Sequence, residues 1–372
     1  MPTSSPLSGV RVLDVSSYVS GPFAAEMLAD LGASVIKVEP VGGDPLVRWG
    51  RAVDGWGIVY TNCNRGKQVT SLDLQSDPGR AQFLSLASEA DVVITNWRTG
   101  VADRLGLVEG LADCPDLIWA RITGWGNGGP LAGVPAFDSS IQVRSGLAWA
   151  QGDEAPKLMR MFLADKITAL LTAQAVVAAL YQRARGGGAG VIDIAMIDAL
   201  AYFNFPDLLQ NRSPLDAGIL PARNEQMEAN RPAQTADGWM VVSPVGGRQL
   251  KAALEAIDRL DALADMKQAT SQHEMTALFV SLLDGALPAR PTGDWLEIFE
   301  TYDVPAAPVL TIDEHLNDAQ VAYNGTYDII DGPGTGRFRR ARYPARFGDD
   351  PVRGSAIPPR RVSPETVRWP LG

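Results

Sequence analysis

The chain has 372 residues, 46% of them hydrophobic, and a formal net charge of −10. That size and apolar fraction allow a full core and point to two domains. The acidic balance argues against nucleic acid as the main partner and disfavours an anionic membrane surface. Cys63 and Cys114 are the only cysteines, too few for a disulfide framework and not in a metal-type spacing.

The opening residues, MPTSSPLSGV, lack a charged-then-apolar leader pattern, and no run of about 18 apolar residues suggests a membrane span. A cytoplasmic protein is expected. Val10 to Val15 reads as a short apolar strand. Ser20-Gly21-Pro22 opens a helix running through Phe23, Met27 and Leu28 to Leu31. Gly32 ends it in the C′ position, and Ala33 to Val38 forms the next strand, carrying Lys37. The turn after the first strand, DVSSYVSGP, is not G-x-G-x-x-G, so a nicotinamide-binding reading loses its main support.

Asn64, Arg65, Gly66 and Lys67 then form a basic turn ahead of a strand, Val69 to Leu74. Asp77 and Pro78 read as cap and first position of a helix with Phe83, Leu84 and Leu86 on its apolar face. Asp91 to Thr95 is a buried-type strand ending in Asn96-Trp97-Arg98-Thr99-Gly100. This unit delivers a polar, cationic, glycine-containing loop at the carboxyl end of a strand, where open α/β sheets bind anionic ligands. Arg98 and Arg104 flank Trp97, a set suited to a phosphorylated, planar ligand such as a nucleotide. Together with Arg65 and Lys67 they make an expected cationic cluster against an acidic background.

Asp116 to Ile122 is a further strand, followed by the loop Thr123-Gly124-Trp125-Gly126-Asn127-Gly128-Gly129-Pro130. It either cradles phosphate or simply turns the chain; the Lys-Ser/Thr ending of a P-loop is missing. A helical stretch, Ala136 to Trp149, precedes a long apolar helix from Leu163 to Arg183, which Gly186-Gly187-Gly188 stops. Val191 to Ala195 begins as strand and continues as helix. Residues 211–231 turn loop-like and mark a boundary. Beyond it, a smaller domain contains a strand (Trp239 to Ser243), helices from Gln249 and Met275, and the strand-like VPAAPVLTI. The proline-rich tail, Tyr343 to Gly372, is either an appendage or a segment that packs back on the first domain.

Neither histidine, His273 or His315, falls in a motif, so Ser-His-Asp and Cys-His chemistry has little support. Without H-E-x-x-H or His/Cys metal spacing, a metal hydrolase is disfavoured. Asp165, in MFLADKITALLTAQ, is the remaining candidate. Either it caps the helix, or it serves as a nucleophile kept ionised by free amides and the helix dipole; the two roles are compatible.

The strings resemble the family III coenzyme A transferases, which include the α-methylacyl-CoA racemases. The resemblance rests on Asn64-Arg65-Gly66-Lys67 with Leu72-Asp73-Leu74, then Asp91-Val92, Asn96-Trp97-Arg98, Gly100 and Arg104-Leu105-Gly106-Leu107. LSGVRVLDVSSYVSGPFAAEMLADLGASVIKVEP matches the family's opening almost throughout. It implies an α/β fold: a Rossmann-like large domain, residues 1–224 with 326–372 packing back, a smaller α/β domain, residues 225–325, and an interlocked homodimer. It implies no permanently bound cofactor, with coenzyme A and acyl-CoA as substrates alongside a carboxylic acid, and no nucleic-acid or membrane partner. Coenzyme contacts are expected at Ser17, Tyr18, Val19, Lys37, Arg65, Leu72, Asn96, Trp97, Arg98, Arg104 and Asp138, and the catalytic aspartate falls on Asp165. The implied reaction moves coenzyme A between carboxylic acids through a covalent aspartyl intermediate.

The racemases pair their aspartate with a histidine in a G-H-D segment, which here reads Ala136-Phe137-Asp138. Phenylalanine carries no proton, so two-base epimerisation is disfavoured. A racemase of the same fold, a coenzyme-binding homologue without turnover and, more distantly, a nucleotide-dependent oxidoreductase are the rival readings. The family's glycine loop in the small domain would fall near Pro244-Val245-Gly246-Gly247. The segment Trp49 to Tyr60 either lines an acyl pocket or packs structurally.

Overall fold

Short apolar strands alternating with helices assemble here into one parallel sheet. The computed structural model describes residues 5–50, 52–53, 55–152, 154–209, 212–215, 231–332, 336–347, 350–351 and 359–370. The strands are β1 (Arg11–Asp14), β2 (Ser34–Glu39), β3 (Gln68–Ser71), β4 (Val92–Thr95), β5 (Ile118–Thr123) and β6 (Val191–Ala195). Val12, Ile36, Val93, Ile118 and Ala120 are fully buried, as strands covered by helices on both faces require. The helices are α1 (Ser20–Asp30), α2 (Ile58–Asn64), α3 (Asp77–Ser88), α4 (Val101–Arg104), α5 (Val108–Ala112), α6 (Asp138–Arg144), α7 (Leu147–Ala150), α8 (Leu163–Ala184) and α9 (Met196–Asn204).

A seventh strand, Arg360–Arg361, arrives from far along the chain, and the order is Arg360–Arg361, β3, β2, β1, β4, β5, β6. All neighbours pair in parallel, with Val12 opposite both Val35 and Val92, and Arg360 opposite Gln68. The sheet grows one way from β1 to β3 and the other way from β4 to β6. The reversal leaves a crevice at the carboxyl ends of β1 and β4, the position where such sheets take ligands.

Two compact units divide the chain: Met1–Phe205 with Asn324–Gly372, and Pro206–Tyr323. The boundary expected between residues 224 and 225 lies outside the described residues. Val367 and Trp369 belong to the core of the first unit with Leu13, Ile36 and Phe83, and the Trp369 indole N–H donates to the Leu86 carbonyl at 3.1 Å. The second unit has its own antiparallel sheet, Ala233–Gln234, Trp239–Val242 and Ala306–Pro308. Its core gathers Met240, Leu254, Phe279, Leu283, Trp295 and Phe299. Gly246 and Gly247, where a glycine loop was expected, open the helix Gly246–Ala256.

Several local expectations change. Ser76, not Asp77, caps α3, its hydroxyl accepting from the Gly79 N–H at 3.2 Å. The strand expected to run to Leu74 ends at Ser71, and Leu72 turns into the core at 3% exposure. The helix expected over 136–149 is two short ones, because Gly146 adopts φ +85° between them. By length and composition α8, with a mean hydropathy of 1.5 in its most apolar stretch, could cross a membrane, contrary to the absence of such a run read from the sequence. Here one face of it buries Ala164, Ile167, Ala169 and Val176, the stripe an amphipathic core helix presents.

Candidate active site

The loop after β1 is set by a buried ionic cluster beneath it. Lys67 Nζ donates to Asp14 Oδ2 (2.9 Å), the Pro22 carbonyl (2.7 Å) and Asn64 Oδ1 (2.9 Å). Lys37 Nζ donates to the Ser16 carbonyl (2.7 Å) and lies 3.6 Å from Asp14 and 3.4 Å from Asp44. Burial works against the Lys37 charge, but Asp14, Asp44 and Glu39 outweigh it and raise its pKa. For Lys67 burial dominates and lowers it. Burial likewise opposes ionisation of Asp14, yet the two ammonium groups and the Ser16 hydroxyl bring it down to about 2. Two cations thereby grip two carbonyls of the segment from Ser16 to Pro22. Gly21 has no room for a side chain: a Cβ there would lie 2.2 Å from the Ser16 hydroxyl.

Arg65 is committed elsewhere. Its Nη2 sits 3.0 Å from Glu26 and 3.2 Å from Asp30, with only 8% of the side chain exposed. Burial pushes the Glu26 carboxyl up to about 8 even though Arg65 opposes the shift. The cationic cluster expected from sequence therefore divides: Arg65 and Lys67 face inward on buried acids, and Arg98 and Arg104 face outward. Lys37, Arg65 and Leu72, expected at the coenzyme, lie outside the cavity wall. A basic turn next to a cationic loop looks continuous in sequence. Buried acids from β1 and α1 claim the first half, and the apolar core claims Leu72.

The remaining expected residues come together. A cavity of about 1080 Å³ opens at the crevice between β1 and β4 and is walled by Ser17, Tyr18, Val19, Asn96, Trp97, Arg98, Arg104, Asp138 and Asp165. Its size is at the upper end of ligand pockets, about 300–1,000 Å³. Asn96 locks the first loop by accepting from the Ser17 N–H (2.9 Å) and donating to the Ser17 carbonyl (2.6 Å). Tyr18 takes φ +63°, and its N–H donates to Asp44 at 3.2 Å. Arg98 and Arg104 are exposed, and among the described residues neither is paired with a carboxylate.

The loop after β5 approaches closely: a Cβ on Gly124 would lie 2.3 Å from that of Ala136. Gly126 N–H is already donated to Thr123 Oγ1 at 3.1 Å, so it is not a free anion donor in this loop. Phe137 is 54% exposed and meets the Tyr18 ring edge-on at 5.3 Å. Trp49 enters the same cavity, stacked on Phe162 at 5.6 Å.

Asp165 occupies the third position of α8, while the cap position is Phe162, whose side chain makes no capping bond. The capping role read from sequence therefore does not apply. Its ionisation is also opposed. Burial, and then the nearby Asp138 charge, push its carboxyl up to about 7 against the polar groups of Ser20, which favour the ionised form. Asp138, first in α6 and 8% exposed, accepts the Asp165 main-chain N–H on Oδ1 at 3.1 Å.

Ser20 and Gln142 were missed from sequence. Gln142 follows Asp138 by four residues, which puts both on one helix face, and that spacing was the available signal. Among the described residues no group of three or more His, Cys, Asp or Glu is gathered as for a metal ion.

A parallel sheet whose switch-point cavity joins two outward guanidiniums to a pair of close carboxylates is the arrangement of an α/β enzyme. Residues 7–361 match CoA-transferase family III, and the chain belongs to that family. It is 32% identical to the acetyl-CoA:oxalate CoA-transferase of Acetobacter aceti over 85% of this chain and 84% of that one. It is 33% identical to the succinate–glutarate CoA-transferase of Agrobacterium fabrum over 86% and 84%. A crystal structure of a CaiB/BaiF family protein from Brucella suis superposes with TM-score 0.82 at 29% identity, covering 96% of this chain and 97% of that one.

Proposed function

We propose that this chain transfers coenzyme A from an acyl-CoA donor to a carboxylic acid through a covalent intermediate on Asp165. The observation that carries the reading is a shared cavity that Asp165 lines together with Arg98 and Arg104. The guanidiniums suit the coenzyme's phosphates and Trp97 offers a plane for its base.

Asp165 attacks the thioester carbonyl, the C–S bond breaks, and the thiolate leaves an acyl–aspartyl anhydride. The thiolate then attacks the aspartyl carbonyl, the donor acid departs, and an aspartyl-CoA thioester remains. The acceptor carboxylate attacks that thioester and frees the thiolate, which takes the acceptor's acyl group and restores Asp165. One carboxylate suffices because every leaving group is a stable anion. The experiment that tests the reading is to quench turnover with hydroxylamine or borohydride and map the modified peptide. An adduct on Asp165 supports it, and one on Asp138 or Asp193 overturns it.

The attacking form is the ionised one. With the carboxyl at about 7, activity is present above that pH and lost as pH falls through it. The pH profile of kcat/KM for the free enzyme is therefore expected to show an acidic limb near 7; a limb below 5 would contradict the environment described for Asp165.

Phe137 separates this reading from the racemase of the same fold. A chiral 2-methylacyl-CoA incubated in deuterated water should gain little α-deuterium by mass spectrometry, since no base stands at position 137. Rapid exchange would favour the racemase instead.

We also infer an interlocked homodimer. Leu170, Tyr181, Tyr202 and Phe203 on α8 and α9 leave large apolar side chains 55%, 67%, 73% and 57% exposed, more than a lone surface helix usually carries.

A further inference from the structure

The geometry points to Gln142 as a positioning residue that fixes Asp165 through Asp138 and through the strap of residues 159–161 leading into α8. The inference rests on Asp165 being the nucleophile. Gln142 is on α6, is 1% exposed and stands in the cavity wall beside Asp138 and Asp165, with its amide taken up by protein partners. Nε2 donates to Asp138 Oδ2 at 2.6 Å and is 3.2 Å from the Met161 carbonyl and 3.5 Å from the Met159 carbonyl. Oε1 accepts the Met159 N–H at 2.9 Å. The amide orientation is fixed by these partners, because a carboxylate and carbonyls only accept while a main-chain N–H only donates.

One side chain therefore joins three pieces. It orients Asp138, whose other oxygen takes the Asp165 N–H at 3.1 Å. It pins both ends of Met159–Met161, which lead through the cap residue Phe162 into α8 at Leu163. It also stations the Asp138 carboxylate, the charge that acts on Asp165. Other groups around Asp165 do different work. Ser20 of α1 favours its ionised form, Lys166 of α8 directs its ammonium to Met161 Sδ at 3.8 Å, and Arg160 on the strap is exposed.

An apolar side chain of similar length takes the partner from Asp138 Oδ2 and from the Met159 carbonyl and N–H, while Asp138 Oδ1 keeps the Asp165 N–H and the Met161 carbonyl keeps that of Leu163. A glutamate does the same donor work only while protonated.

The test compares Gln142→Met and Gln142→Glu with the unsubstituted enzyme. In Gln142→Met, kcat should fall about 100-fold, the effect of a small misplacement of a reacting group, with KM for acyl-CoA nearly unchanged. The rate of trapping the Asp165 adduct should fall by the same factor. In Gln142→Glu, the neutral acid still donates to Asp138 and accepts from Met159, whereas the ionised form repels Asp138. Its activity relative to the unsubstituted enzyme should therefore decline steadily as pH rises.

A Gln142→Met enzyme with a lowered Tm but intact kcat and adduct rate overturns the proposal, as does a Gln142→Glu ratio that is flat with pH. If Gln142→Met does not fold, the Gln142→Glu ratio decides alone. Absence of any Asp165 adduct in the unsubstituted enzyme would instead remove the nucleophile assignment itself, which separates the two failures.

Discussion

Asp165→Ala is expected to lower transfer by about 10⁴-fold or more, the scale for losing a nucleophile that acts through a covalent step, while the fold and coenzyme binding persist. The persistence follows from location. Asp165 is on the first turn of α8, and its carboxyl is destabilised by burial and by Asp138, so removing it relieves a strained charge and opens no core. Asp165→Asn keeps shape and the Ser20 contacts but has no carboxylate to attack. It should be as inactive as alanine, with circular dichroism, Tm and calorimetric coenzyme affinity close to the unsubstituted enzyme. Substantial steady-state transfer by either variant would refute the covalent mechanism outright.

The second large effect is expected at the rim. Arg104→Ala, and separately Arg98→Ala, should weaken coenzyme A binding by about 1–3 kcal/mol each, the range for a charged hydrogen bond, measured by titration calorimetry. Both guanidiniums are exposed beside the cavity and, among the described residues, hold no acid, so their loss should leave Tm nearly unchanged. Arg65→Ala supplies the contrast. It removes the largest opposing cation from Glu26 and Asp30, leaving the smaller influence of Arg340 on both, and breaking a buried pair costs up to about 3–5 kcal/mol, so it should reduce stability and leave coenzyme affinity of the folded fraction intact. Affinity that ignores Arg98 and Arg104 but collapses with Arg65 would relocate the coenzyme site.

Much of this site was legible in the chain. The loop Asn96 to Gly100 follows a strand whose Val92, Val93 and Ile94 are fully buried, and alternation of apolar strands with helices already implies a parallel sheet with ligands at its carboxyl edge. Asp165 was visible as a lone acid at the start of an apolar helix. What sequence hid is partnership. Lys67 and Arg98 look alike as letters, but Asp14 lies beneath one and open space beside the other. What opposes the ionisation of Asp165 was hidden for the same reason: Asp138 is 27 residues away along the chain, and only folding brings its charge to the start of α8. The break at Gly146 was similarly hidden, since a glycine within a helical pattern does not announce whether it takes φ above zero.

The Arg360–Arg361 strand has a consequence for how the molecule reaches its native state. Hydrogen bonds from Arg360 to the Lys67 carbonyl and from Val362 to that of Val69 join partners nearly three hundred residues apart, and Trp369 seals the same core. Pro206–Tyr323 is contiguous in sequence, so its contacts close early during synthesis. The first unit, whose sheet edge waits for residues 360–369, cannot finish until those residues have left the ribosome. Long-range parallel pairing carries the greatest loop-closure cost, and until it forms β3 presents an unpaired edge, the kind of surface that invites pairing with another chain. Nascent chains halted before residue 360 should therefore be the species that depend most on chaperones.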